Sequence, residues 1–406
     1  MVNPSINERE PKLERLQLIA LAVLMLIGTL FIYSATAANA STAMQIWYDQ
    51  IWVRQLVWYA MGIGAGAALC LVDYHTLARW SFVVYGASIF FLIIVLIPHI
   101  GTTHGWGAQR WIDLGFFQFQ PSEFAKLAFI LAEAHFLSRP VEEMRLPSIF
   151  WKAIGLIVLP FLLIMKEPDL GSALVLLPTG LAMLFAAGTP KRYLLQLVGV
   201  CGILGLLFLM DVLYAPPKYR IKMQDYQLRR LLVFFGRDYT EYSNTGGGEV
   251  ERRHLQEEQF KDSYNVKQAM IAVGSGGLTG KGWRQGQSNA LGFVPKAGKH
   301  NDFIFCVIAE EQGFVGSVVV LTLYSVILFT GIRIAGQARD RLGKLLAVGV
   351  VTLIFSHVFI NIGMNIRIMP VTGVPLPLVS YGGSSVLGSL IAMGLLQNVH
   401  IYRKAY

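Results

Sequence analysis

One segment places acidic residues in an otherwise apolar run: HNDFIFCVIAEEQGFVG, from His300 to Gly316. Carboxylates surrounded by hydrocarbon are costly, so each needs a partner or a task. If a helix begins near Asn301, Asp302 falls in its first turn, where the helix dipole favours a negative charge. The alternative task is chemical, because a carboxylate at the membrane–water boundary can take a proton from a substrate hydroxyl. Glu310 and Glu311 do not complete a pair with it. Eight residues of helix rise about 12 Å and turn Glu310 by about 80° and Glu311 by about 180° from Asp302. That exceeds the separation of roughly 5–9.5 Å used by paired carboxylates in glycoside hydrolysis. Both glutamates are expected to pair with basic residues in the interior.

Further polar groups stand at the ends of other apolar runs. In AQRWIDLGFFQFQPSEFAK, Pro121 suits the first turn of a helix, followed by Ser122 and Glu123. Glu123 and Lys126 lie three apart, share a helix face and can pair. Arg110 and Lys126 are cations that could serve a phosphate group. In KEPDLGS, Lys166 and Asp169 sit at a turn, and Asp169 suits either a helix cap or a cavity wall. Near the C-terminal end, Pro370, Pro375 and Pro377 interrupt what could have been one long span, and broken helices often surround binding sites. Gly382, Gly383, Ser384 and Ser385 are small enough for close helix packing.

The elements that must hold these groups are membrane helices. Of 406 residues, 54% are hydrophobic and 15% charged, which is unlike a soluble domain. About ten apolar runs recur, near 16–37, 55–73, 79–99, 122–138, 149–166, 170–188, 193–214, 303–335, 344–366 and 379–399. The expected fold is an all-α polytopic membrane protein, one integral membrane domain over 1–406. The net charge of +9 requires no nucleic acid. Lysines and arginines gather in alternate short connections, including Arg79, Arg139, Arg145, Lys191 and Arg192, so both termini are expected in the cytoplasm. The first run is read as a retained span rather than a cleaved signal. Cys70, Cys201 and Cys306 lie in apolar runs without metal-ligand spacing and read as core residues.

Three polar regions then share the outer face: 101–121, a large extracytoplasmic loop over 215–302 between the seventh and eighth helices, and 367–378. The large loop opens with YRIKMQDYQLRRLLVFFGRDY, readable as an amphipathic helix on the membrane surface. Its charged, glycine-rich middle, SNTGGGEVERRHLQEEQFKDS, reads as mobile. Its glycine-dense last part reads either as a plain loop or as backbone that approaches a ligand closely. The converging carboxylates and cations imply an anionic, amphipathic ligand. An enzyme acting on a lipid-linked substrate and a transporter of one both fit.

The blocks GAQRWIDLGFFQFQPSEFAKLA, EPDLGSALVLLP, VKQAMIAVGSGGLTGKGW, HNDFIFCVIAEEQGFVG and NIGMNIRIMPVTGVPLPLVSYGGSS cover most of the chain in this order. They resemble the signature blocks of the bacterial SEDS family (shape, elongation, division and sporulation). GVPLPLVSYGGSS and MQDYQLRR are most similar to its elongation branch. The resemblance implies a peptidoglycan glycosyltransferase that polymerises lipid II into β-1,4 glycan strands and releases undecaprenyl diphosphate; a lipid II flippase is the alternative, and a structural scaffold a third. It makes Asp302 the general base. Arg110 and Lys126 face the central cavity in such proteins, and Glu123 is associated with regulation through a neighbouring cavity. Asp169, Lys281, Gln287, His300 and Ser380 are further substrate-contact positions. No covalently bound cofactor is implied. A divalent cation (Mg or Mn) has Asp302 as its candidate ligand. The implied partners are a class B penicillin-binding protein and the elongation proteins MreC, MreD and MreB. The chain departs from the family pattern at VPKAGKH, at Asn301, at Arg367 and in the charged middle of the large loop.

Overall fold

The computed structural model describes residues 13–37, 50–97, 101–102, 109–113, 115, 118–215, 225–237, 249–286 and 301–403. Helix α1 spans Arg15–Ala37, α2 Ile51–Cys70, α3 Tyr74–Arg79 and α4 Ser81–Val95. Three short antiparallel strands follow in the order β1 (Gly101–Thr102), β2 (Trp111–Asp113) and β3 (Gln118–Phe119). Then come α5 (Pro121–Leu137), α6 (Pro147–Lys166), α7 (Leu170–Ala186) and α8 (Lys191–Tyr214). Helices α9 (Asp225–Phe235) and α10 (Glu249–Ser275) lie in the expected large loop. The bundle closes with α11 (Ile304–Gln337), α12 (Arg341–Asn365) and α13 (Gly383–Tyr402).

The expected apolar runs are helical over most of their described residues; Trp80 separates α3 from α4 at the start of the run near 79–99, and the run near 379–399 becomes helical only at Gly383. Among the described residues six helices, α1, α6, α8, α11, α12 and α13, are long and apolar enough to cross a membrane; α4 and α7 are shorter apolar helices. Helices α12 and α13 form the buried centre, whereas α8 lies almost wholly exposed on the outside. Small residues let α2 and α13 touch along their backbones. A Cβ on Gly394 would come within 2.6 Å of the Gly66 Cα. This is the close packing that membrane helices use in place of a hydrophobic driving force.

Three expectations about the large loop change. Residues 249–275 form a 27-residue helix, although the charged composition suggested mobility. A sparse apolar stripe explains it: Ala269 and Ala272 bury against Phe303 and Cys306 at the start of α11. Second, α9 is a helix as expected, yet Leu232 and Val233 turn inward and pack with Leu228 and Val266 of α10. Third, the glycine-dense stretch approaches protein backbone. Helix α11 is broken at Gly313 (φ 64°, ψ −157°). The segment from Gly277 to Gly282 fits into that break. The Phe314 and Val315 N–H groups donate to the Gly277 and Leu278 carbonyls (2.9 and 3.1 Å). In return the Lys281 and Gly282 N–H groups donate to the Glu310 and Glu311 carbonyls (both 3.0 Å). A Cβ on Gly280 (φ 81°) would stand 2.2 Å from the Glu311 carbonyl oxygen, so only glycine fits there. Backbone groups freed by a break at membrane depth must find partners, and this loop supplies them.

The same exchange settles the role of the two glutamates. Glu310 pairs with Lys281 at 2.7 Å. Glu311 accepts from the Ser34 hydroxyl (2.5 Å) and the Arg284 N–H (3.0 Å). Both hold the loop in place: Glu310 pairs with a basic side chain as expected, whereas Glu311 takes a hydroxyl and a main-chain N–H instead.

Candidate functional site

A cavity of about 1050 Å³ opens between α2, the small sheet, the N-terminal ends of α5 and α7, the turn before α11 and the extended stretch before α13. Helix ends and loops supply nearly all of its polar wall. The irregular backbone from 371 to 382 survives there because side chains satisfy it. Tyr324 and Tyr59 donate to the Pro377 and Leu378 carbonyls (2.5 Å each). The Ser384 hydroxyl links the sheet to α13, donating to the Gln118 carbonyl (3.0 Å) and accepting from the Gln120 N–H (3.1 Å).

Asp302 lies in this wall, half-buried, in the turn Asn301–Phe303. Helix α11 begins only at Ile304, after an N-cap Phe303 with no side-chain cap, so the capping role does not apply. Gly373 (φ 80°) faces it, with room for a Cβ only at 3.4 Å from the Asp302 Oδ2. Burial pushes the Asp302 carboxyl up to about 6, Arg230 and Arg110 pull it down, and Asp169 pushes it up. A carboxyl poised there is ionised at neutral pH yet basic enough to accept a proton.

Asp169 serves both expected roles with one side chain. Its Oδ1 caps α7 by accepting from the Ser172 N–H (3.1 Å), and its Oδ2 accepts from Gln120 Nε2 (3.3 Å) at the cavity wall. Arg110 also lines the cavity. Its Nε donates to the Glu167 carbonyl (3.3 Å) and its Nη2 to the Pro168 carbonyl, which fixes the guanidinium against the turn between α6 and α7. Glu167 is fully buried, and its carboxylate oxygens meet no partner among the described residues. Burial and the neighbouring Asp169 push it up to about 9 against the pull of Arg110, so it is neutral at pH 7.

The other expected residues distribute unevenly. Glu123 lines the cavity and pairs with Lys126 at 2.8 Å. Lys126 itself does not reach the cavity. It is 1% exposed, and its ammonium is shared between Glu123 and His357 Nε2 (2.9 Å). Lys281 holds the α11 break through Glu310, away from the cavity. Ser380 is buried behind the wall, where its hydroxyl accepts from the Leu376 N–H (2.8 Å) and donates to the Asn301 carbonyl (2.7 Å). Gln287 and His300 lie outside the described residues. Of the four small residues expected to pack, all line the cavity, while Gly383 also packs under Trp58. Three contributors carry no sequence signal of their own: Arg230 on α9, which acts on Asp302, and Arg54 and Trp58 on α2, which line the cavity. Among the described residues no three His, Cys, Asp or Glu side chains gather as a metal site. Asp302 and Asp169 are two carboxylates on one cavity, the donor set magnesium takes together with substrate phosphate and water.

The chain is similar to known proteins over nearly its whole length. A family described as cell cycle proteins of the FtsW, RodA and SpoVE type matches residues 14–405. The chain is 35% identical over 382 residues to the peptidoglycan glycosyltransferase MrdB of Escherichia coli, covering 94% of this chain and 93% of that one. It is 36% identical over 389 residues to stage V sporulation protein E of Bacillus subtilis, covering 94% and 95%. Among solved structures, it resembles a chain of a peptidoglycan synthase complex that coordinates polymerization and crosslinking (TM-score 0.73, 26% identity, 97% and 99% coverage). It also resembles RodA of Thermus thermophilus (TM-score 0.64, 26% identity, 97% and 98% coverage). This chain is therefore a multi-pass membrane protein that belongs to the FtsW, RodA and SpoVE family, the SEDS proteins.

Proposed function

We propose that the chain is a peptidoglycan glycosyltransferase that polymerises lipid II during cell elongation. One observation carries the reading: the Asp302 carboxylate stands in the wall of a large cavity that Arg110 and Asp169 share. The match to MrdB over nearly the whole chain supports the same activity.

In the proposed reaction the Asp302 carboxylate takes the proton from the GlcNAc 4-hydroxyl of an acceptor lipid II. The oxygen attacks C1 of the MurNAc at the lipid-linked end of the growing strand. The bond from C1 to the diphosphate breaks, and undecaprenyl diphosphate leaves with the electron pair. One displacement inverts the anomeric carbon and gives the β-1,4 link. The leaving group is an anion at pH 7, so it needs charge neutralisation more than a general acid. Arg110, anchored by two carbonyls, is placed to supply it. Lys126 acts at one remove, by fixing Glu123 at the cavity floor. If Mg or Mn takes part, Asp302 and Asp169 would hold it and it would supply further charge neutralisation at the diphosphate.

The positive short connections support cytoplasmic termini, which puts the cavity on the outer face. A class B penicillin-binding protein is the proposed partner, in keeping with the likeness to a synthase complex; MreC, MreD and MreB are proposed as the wider machinery. The test uses vesicles holding the purified protein and that partner, with labelled lipid II on one face. Polymer supports the reading. Translocation of lipid II without polymer would replace it with the flippase.

A further inference from the structure

Two asparagines on α12 converge on the main chain of Asp302. Asn361 and Asn365 lie four apart, on one helix face, and both are fully buried. Asn361 Nδ2 donates to the Asp302 carbonyl at 3.0 Å and Asn365 Nδ2 at 3.1 Å. A carbonyl oxygen has two lone pairs, and these two donors fill both. The second N–H of Asn361 goes to the Val374 carbonyl (2.7 Å), beside the Gly373 that faces the Asp302 carboxylate. The second N–H of Asn365 goes to the Asn361 carbonyl (2.8 Å). The Cys306 thiol donates to Asn365 Oδ1 (2.7 Å), which ties in the first turn of α11.

Helix packing does not call for this arrangement. A carboxamide in an apolar span is costly, and leucine would fill either position without that cost. The residue before Asp302 is held as well, by Ser380 on the Asn301 carbonyl. The carboxylate, in contrast, accepts no hydrogen bond among the described residues. Its main chain is clamped on both sides while its reactive oxygens are left to the cavity.

We propose that Asn361 and Asn365 are positioning residues, a two-donor clamp that fixes the aim of the Asp302 carboxylate. The proposal rests on Asp302 being the base of the glycosyl transfer. A displacement of about 1 Å at a reacting group can cost about 100-fold in rate, and binding need not suffer with it. The clamp does not touch substrate, so its loss falls on kcat.

The test compares wild type, Asn361→Ala, Asn365→Ala, the double variant and the control Ser356→Ala. Ser356 is buried on the same helix, and among the described residues it bonds within that helix, to the Thr352 carbonyl (2.8 Å). Initial polymerisation rates against lipid II concentration, with the partner present and its transpeptidase blocked, give kcat and KM. The expected result is a kcat loss of about tenfold for each single variant and about 100-fold for the double, with KM within about threefold. Ser356→Ala keeps wild-type values. Hydrogen exchange over 301–306 is read on the same samples, and the double variant is expected to exchange there about tenfold faster or more. Folded variants with wild-type kcat, or a loss carried by KM, overturn the proposal. If wild type makes no polymer, the polymerase reading falls. The clamp then stands or falls on the exchange result alone. Should Asn361→Ala fail to insert, Asn365→Ala carries the same test with one donor left.

Discussion

The charges around Asp302 predict a pH profile whose acid limb can be moved in either direction. With its carboxyl at about 6, Asp302 is about 91% ionised at pH 7 and about 9% at pH 5. A reaction that needs it as a base therefore slows about tenfold between those values, with half the maximal rate near pH 6. Asp169 pushes Asp302 up, so removing its charge moves the limb to lower pH. Asp169→Asn is suited to this, because asparagine caps helices as well as aspartate does and can still accept from the Ser172 N–H. Arg110 pulls Asp302 down, so Arg110→Gln moves the limb to higher pH. Burial is the largest influence, so both limbs stay above the ordinary aspartate range. The assay is the initial rate of glycan formation at saturating lipid II over roughly pH 5 to 8. Arg110→Gln also lowers the maximal rate, since Arg110 is placed at the leaving group, but the position of the limb is the readout. A wild-type rate that is flat through pH 6, or two variants that shift the same way, would refute the reasoning.

Two further outcomes concern stability. The rise of Asp302 from 3.8 to about 6 means that its ionised form opposes folding by about 3 kcal/mol, a cost absent below pH 3.8 and complete above about pH 6. Asp302→Asn is expected to raise thermal stability in detergent at pH 7.5 and to lose that advantage near pH 4, as thermal melts would show. Lys281→Met removes the cation paired with the buried Glu310 carboxylate and should cost about 3 kcal/mol, while adding Glu310→Gln recovers much of it, in denaturation of the purified protein.

Much of this architecture was legible because its signals are local. An apolar run of helical length needs no partner to be recognised, and neither does the spacing of Glu123 and Lys126 or the capping aspartate at the start of α7. The break in α11 was not legible. Nothing local to Gly313 marks a helix end, and the backbone partners at the break come from Gly277 to Gly282, some thirty residues upstream. The glycines there read as either a plain loop or a ligand loop, because close approach is all that glycine advertises; the approach is to a helix backbone. Lys126 was expected to face the cavity, yet it points to His357 on α12, a contact that sequence spacing does not encode. The asparagines at 361 and 365 did carry a readable signal, two carboxamides at helical spacing in an apolar span. Their target, a carbonyl 59 and 63 residues away, emerges only when α11 and α12 pack.

The central claim is that Asp302 is the base of a glycan-forming reaction. Its most direct test sets wild type beside Asp302→Asn, each purified with a class B penicillin-binding protein, given labelled lipid II and a divalent cation, with the transpeptidase blocked by a β-lactam. The account predicts a glycan ladder from wild type and none from Asp302→Asn, with both proteins folded and the variant still binding lipid II. A ladder from Asp302→Asn at the wild-type rate would contradict it.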